Sequence, residues 1–323
     1  MSTVGEPFSM LKDDQKIGLE GQSILKKDGY YYLFYSSGNC CGAQCDYNVR
    51  VGRSKSFAGP YEQFPGNPLL QENAFWKCSG HGTFVTGANG RCYYLYHAYN
   101  KENTVFAGRQ GMLAELLWPE KNGWPVFKER SGPALNSDVK LNFKNPSIDK
   151  GWQWDFRNST TTVSQKDGKI HLSDKINKDN LTGIALTRRP LSAVFEAETV
   201  VSDTNQALKG LTYYGDANAA MGIGMVGNTV QFWTVKGKES RVQSSAQLKG
   251  NAPVALKMKI MADHRVLVFF KQGSNDWENL KTDEQVTTDF LPQWDRSPRI
   301  GLHFRGEVNQ EAAFSSFSIK YSL

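Results

Sequence analysis

The sequence predicts an all-β chain in two units, a partial β-propeller followed by a β-sandwich, and three observations carry that reading. Runs rich in aromatic and β-branched residues recur from end to end: YYYLFYSS (30–37), YNVRVGRS (47–54), CYYLYHAY (92–99), VFEAETVV (194–201), TVQFWTV (229–235), HRVLVFF (264–270) and FSSFSIKY (314–321). Asp28-Gly29, Asn89-Gly90, Asp167-Gly168 and Gly227-Asn228 punctuate the runs where hairpins need residues that tolerate positive φ. At 323 residues the chain exceeds what one ordinary core carries. No stretch holds a helical period through three turns.

Taken in order, the first unit rests on an internal repeat. DGYYYLFYSS (28–37) precedes VGRSKSFAGPYE (51–62), and about 60 residues later NGRCYYLYHAY (89–99) precedes AGRQGMLAELLWPE (107–120). Each copy reads turn, aromatic strand, loop, then a strand carrying Gly-Arg, a period that suits a four-stranded propeller blade. Two blades cannot close a ring, which takes at least about four, so further blades or another element must cover the open edges. The polar stretch KERSGPALNSD (128–138) reads as a linker and places the units at 1–135 and 136–323. From Val139 onward about ten short strands without that repeat predict a two-sheet sandwich of jelly-roll type.

Composition removes several function classes. Thirty-eight basic against 32 acidic residues give +6, but the basic residues are scattered, so no nucleic-acid partner is expected. The longest apolar stretches, such as AAMGIGMVG (219–227), fall well short of the roughly 20 residues a spanning helix needs, so no membrane partner is expected either. MGIGMVG (221–227) precedes a β-like run rather than a helix, which excludes a phosphate cradle and suggests closely packed strands. MSTVGEPFSMLKDD shows no basic leader followed by an apolar core, so no secretory signal is visible. Of five cysteines, Cys40, Cys41 and Cys45 share one loop whose CCGAQC pattern lacks zinc-type pairing. A bridge from that loop to Cys78 would brace the fold in an oxidising compartment, whereas a reducing one leaves thiols. Cys92, inside a strand, reads as a buried free thiol.

LEGQSILKKDGYYYLFYSS (19–37), CCGAQCDYNVRVGRSKSFAGPYE (40–62), WKCSGHGTFV (76–85), YYLYHAY (93–99) and AGRQGMLAELLW with GWPVF (107–127) together resemble the later blades of glycoside hydrolase family 43. Its members are five-bladed propellers that remove arabinofuranosyl or xylosyl units. GWQWDFRN (151–158) and the strands to RIGLHFRG (299–306) resemble the concanavalin-like sandwich that often follows.

The resemblance implies a site. Glu20 stands where the family keeps its general acid, and apolar Leu19 and Ile24 beside it are expected to desolvate the carboxyl so that it holds its proton. The competing reading is a solvated loop carboxylate. His81, in SGHGTF, matches an axial residue that helps hold a calcium ion or a water cluster; a structural histidine is the alternative. Arg109 matches an arginine that bonds sugar hydroxyls, against a blade-edge salt bridge of the kind expected for Arg53. Trp76, Phe34 and Phe106 are candidates to stack on the sugar, against burial in the core. His97 is expected to pack, and His171, His264 and His303 lack metal-ligand spacing.

An inverting glycosidase also needs a base carboxylate, which the family places upstream of its acid. Only 19 residues precede Glu20, and Asp13 and Asp14 in KDDQK match neither family motif. The expectation is therefore an N-terminally truncated member lacking the catalytic Asp residues, with the missing N-terminal blades as a partner. Its substrates would be arabinan, arabinoxylan or xylan, and the full-length protein would be secreted or periplasmic. A non-catalytic carbohydrate-binding protein is the second reading, and an aggregation-prone fragment with unpaired blade edges the third.

Overall fold

A computed structural model describes residues 5–102, 104–121, 123–129, 132–133, 137–250 and 252–321, without the side chains of 104 and 105. Part of the 128–138 stretch read as a linker thus lies outside the described residues. The chain divides into two units, Met1–Thr104 with Gly108–Ala134, and Leu135–Leu323 with Val105–Ala107.

The first unit holds β1 (Leu19–Lys27), β2 (Tyr30–Ser37), β3 (Asn48–Ser54), β4 (Glu62–Gln63), β5 (Trp76–Thr86), β6 (Cys92–Asn100), β7 (Arg109–Leu117) and β8 (Val126–Lys128). A four-residue helix, α1 (Thr104–Ala107), lies between β6 and β7 in sequence. The strands make two antiparallel four-stranded sheets in simple order, β1-β2-β3-β4 and β5-β6-β7-β8, each one blade of a propeller. Asp28 and Gly29 take φ of 50° and 80°, the two-residue reversal that joins β1 to β2 in register. Alternate positions of β2, β3 and β6 (Tyr32 and Phe34; Val49 and Val51; Tyr94, Tyr96 and Ala98) bury their side chains in one core. That period of two is the property for which such aromatic and β-branched strands are suited.

The second unit continues with β9 (Val139–Leu141), β10 (Thr162–Lys166), β11 (Lys169–Ser173), β12 (Ile184–Arg188), β13 (Phe195–Val201), β14 (Leu208–Asp216) and β15 (Ala219–Val226). It ends with β16 (Thr229–Lys236), β17 (Glu239–Gln247), β18 (Val254–Ile260), β19 (Val266–Gln272), β20 (Glu278–Asn279), β21 (Arg299–Arg305) and β22 (Ala312–Lys320). One sheet runs β10-β11-β22-β13-β18-β19-β20 with β9 added beside β22, and the other runs β12-β21-β14-β15-β16-β17. The core between the sheets takes Val254, Leu256, Met258 and Ile260 from β18, while Lys257 and Lys259 point outward to Glu196 and Glu198 of β13 at 2.7–3.2 Å. About ten strands were expected here and 14 are described; strands of two or three residues, such as β9 and β20, are too short to show alternation. The Gly222 position in β15 lies against the Trp233 ring and the Leu211 carbonyl, so the glycine-rich run serves close strand packing.

Candidate active site

The site is built by two irregular strands of the first unit. In β1 the register with β2 shifts between Glu20 and Ser23, and Gly21 takes φ of 61° within that bulge. A Cβ at Gly21 would sit about 3.0 Å from the His81 ring, so glycine lets the imidazole lie against the backbone of β1. In β5 the register breaks twice around Gly80, and His81 itself has φ of 52°. A Cβ at Gly80 would enter the Tyr47 ring and one at Gly82 the Tyr94 ring. Ser36 of β2 accepts the His81 amide at 2.7 Å and pins the turn. Two bulged strands thus aim adjacent carboxyl and imidazole groups at one place.

Tyr47 joins them. Its hydroxyl donates to Glu20 Oε1 at 2.5 Å, and its oxygen lies 3.4 Å from His81 Nδ1, which is itself 3.9 Å from the same carboxylate oxygen. Burial pushes the Tyr47 phenol well above its ordinary pKa, and the bond to Glu20 adds to the shift, so it keeps its proton and serves as a donor. The Tyr47 ring stacks on His97, with centroids 5.8 Å apart and planes 5° from parallel. Arg109 lies on the far side: Nη1 is 3.4 Å from His97 Nε2, Nε donates to the Tyr99 hydroxyl at 3.4 Å, and Nη2 donates to Cys41 Sγ at 2.8 Å. Gly21, Gln22, His81, Leu95, His97 and Gly111 face a groove of about 840 Å³.

The structure therefore brings Glu20, His81 and Arg109 into one chain of contacts, Glu20–Tyr47–His97–Arg109 with His81 beside its acidic end. Tyr47 and the bridging part of His97 were not legible in the sequence; Tyr47 opens the strand-like run YNVRVGRS, where no local signal shows that its hydroxyl meets Glu20. His97 does pack, but its ring edge also meets Arg109.

Other expectations are corrected. Phe34 is fully buried against Phe84, Tyr94 and Phe127, with no face left for a sugar. Trp76 is also core, its indole N–H donating to the Gly132 carbonyl at 2.9 Å. Phe106 belongs to the core of the second unit, edge-on to His264 at 5.0 Å. The Glu20 side chain is 52% exposed, so the expected desolvation is not met. Leu19 and Ile24 line a different cavity of about 490 Å³: Leu19 neighbours Glu20 and points to the opposite face, and the register shift between Glu20 and Ser23 turns Ile24 to that face as well. Asp13 closes a turn by accepting the Ile17 and Gly18 amides.

The cysteine loop is bridged twice, Cys45 to Cys78 in β5 and Cys40 to its neighbour Cys41, while Cys92 is a half-buried free thiol. Among the described residues no group of three or more His, Cys, Asp and Glu side chains could hold a metal ion. Around His81 stand one nitrogen, one carboxylate oxygen and one protonated phenol, far from the six to eight oxygens of a protein-built calcium cage.

The first unit thus links a carboxyl, a phenol, two imidazoles and a guanidinium in one chain of contacts, with both imidazoles on an open groove. The family model described as Glycosyl hydrolases family 43 matches residues 1–125, which are thus similar to members of that family. Over 134 residues it is 34% identical to the extracellular exo-alpha-(1->5)-L-arabinofuranosidase ArbA of Cellvibrio japonicus, covering 38% of each protein. Over 154 residues it is 31% identical to a xylan 1,3-beta-xylosidase of a Vibrio species, covering 42% of this chain and 28% of that one. The chain thus spans between about a quarter and two fifths of these curated relatives. The fold matches the crystal structure of the GH43 protein BlXynB from Bacillus licheniformis with a TM-score of 0.77 at 18% identity, over 98% of this chain and 68% of that one.

Proposed function

We propose that the chain is part of an inverting glycoside hydrolase that releases α-L-arabinofuranosyl or β-D-xylosyl units from arabinan, arabinoxylan or xylan, with Glu20 as the general acid. The observation that carries this reading is the Tyr47 hydroxyl on Glu20 Oε1, which orients the carboxyl and leaves Oε2 to hold the proton passed to the departing sugar oxygen. Arg109, held through His97 and Tyr99, would bond sugar hydroxyls with its fork of donors. His81 is the side chain that could serve a water-rich calcium site, as the resemblance implies.

The base, about 6.5–9.5 Å from the acid in an inverting enzyme, would come from further blades. In support, the described contacts bring no second carboxylate to Glu20, and Leu95 and Leu113, paired across β6 and β7, are each about half exposed, as a blade face awaiting a neighbour would be. Two disulfides suit an oxidising compartment, and ArbA, named extracellular, agrees with secretion or the periplasm.

The test uses aryl arabinofuranoside and aryl xyloside. In a form of the protein that cleaves either substrate, Glu20→Gln should lower turnover by about 10²–10⁴-fold while circular dichroism is unchanged. Unchanged turnover removes Glu20 from the mechanism. The half-exposed Glu20 favours one alternative, a carbohydrate-binding protein that does not cleave; sugar binding without aryl release would establish it.

A further inference from the structure

We propose that the sandwich unit carries a sugar-binding groove of its own, built by residues 153–158 with the ends of β14 and β21, that accepts a neutral oligosaccharide. The groove measures about 670 Å³ and every residue lining it belongs to the second unit. Trp154 and Phe156, at its edge, are 50% and 75% exposed, although nothing in the sandwich core requires aromatic rings there. Large exposed rings lose apolar contact with nothing gained unless a ligand covers them, and the C–H face of a sugar is suited to do so.

The segment that presents them is held firmly. Gln153 exchanges both backbone hydrogen bonds with Thr187 of β12, at 2.7 and 2.8 Å. The Asp155 carboxylate accepts the Arg157 amide at 3.1 Å, the Asn158 side chain at 2.7 Å and the Tyr214 hydroxyl at 2.8 Å. Such a loop meets a ligand with little left to order.

Charge and hydrogen bonding choose the ligand. Asp155, Asp216 and Asp295 oppose Arg157, Arg296 and Arg299 in the lining, three charges of each sign, so a neutral ligand rich in hydroxyls fits better than an acidic or basic one. Arg296 Nη2 is committed to Asp216 at 2.8 Å. Arg299 Nε, by contrast, is buried with no hydrogen-bond partner among the described residues, a cost a bound hydroxyl would remove. Carboxylate and guanidinium beside an aromatic face are the acceptor, donor and platform that a pyranose or furanose diol needs. The proposal is independent of the Glu20 reading.

Titration calorimetry of the full chain with xylohexaose and arabinohexaose tests it, in a Glu20→Gln, Arg109→Met background that disables the first groove. Binding should persist in that background, and Trp154→Ala and Arg299→Met should each weaken it at least tenfold, with melting temperatures unchanged for Trp154→Ala. Arg299→Lys, which keeps the charge, should fold and lose part of the affinity. No binding of either sugar, or binding indifferent to Trp154→Ala and both Arg299 variants, overturns the proposal, as does tighter binding of oligogalacturonate.

Discussion

Tyr47 has a buried ring and a hydroxyl 2.5 Å from Glu20, and so acts as a strut between the core of the blades and the groove. His303 shows the opposite use of burial. It is fully enclosed, Nε2 bonds the Thr182 carbonyl at 2.7 Å, the ring lies against Trp233 at 4.6 Å, and burial lowers its pKa to about 3. The folded protein thus keeps this imidazole neutral where the unfolded chain, titrating near the ordinary value of 6.5, takes up a proton. The unfolded state then binds more protons between those values, so stability falls as pH drops from about 6.5 toward 3. His303→Gln should flatten the melting temperature between pH 6.5 and 4.5, before most carboxylates titrate; an unaltered slope would assign the pH dependence elsewhere.

At the scale of elements, the irregularities of β1 and β5 matter more to the site than their regular parts. Gly80 and Gly82 flank His81 because aromatic rings occupy the space a side chain would need. Gly80→Ala should therefore displace the Tyr47 ring and cost about 1–3 kcal/mol of overpacking, read as a lower denaturation midpoint. An unchanged midpoint would show that Tyr47 has room to move. Sequence motifs pointed to Glu20, His81 and Arg109 one by one, since each lies in a short recognisable run. They could not show that Tyr47 and His97 connect them, because that connection joins a loop to β1 and β6 from about 27 and 50 residues away. The aromatic candidates failed for a related reason. Alternation tells which residues share a face, but it does not tell which face of a blade a ligand can reach, and Phe34 and Trp76 are on the packed one.

For the whole molecule, the half-exposed pair Leu95 and Leu113 predicts behaviour in solution. An apolar sheet face of this kind favours self-association, and Leu95→Lys with Leu113→Lys should reduce concentration-dependent light scattering of the chain without lowering its melting temperature. Equal scattering from the variant would place the sticky surface elsewhere. The all-β class, the paired aromatic blades, the sandwich that follows them and the glycine turns were determined by sequence alone, because strand period and turn chemistry are local properties written in a few adjacent residues. Whether an aromatic ring is exposed or enters a core, how far Glu20 is shielded from water, and that Asp155 and Arg157 line one groove with Asp216, Asp295, Arg296 and Arg299 were decided only by the tertiary structure, because each depends on side chains that folding brings together from distant parts of the chain.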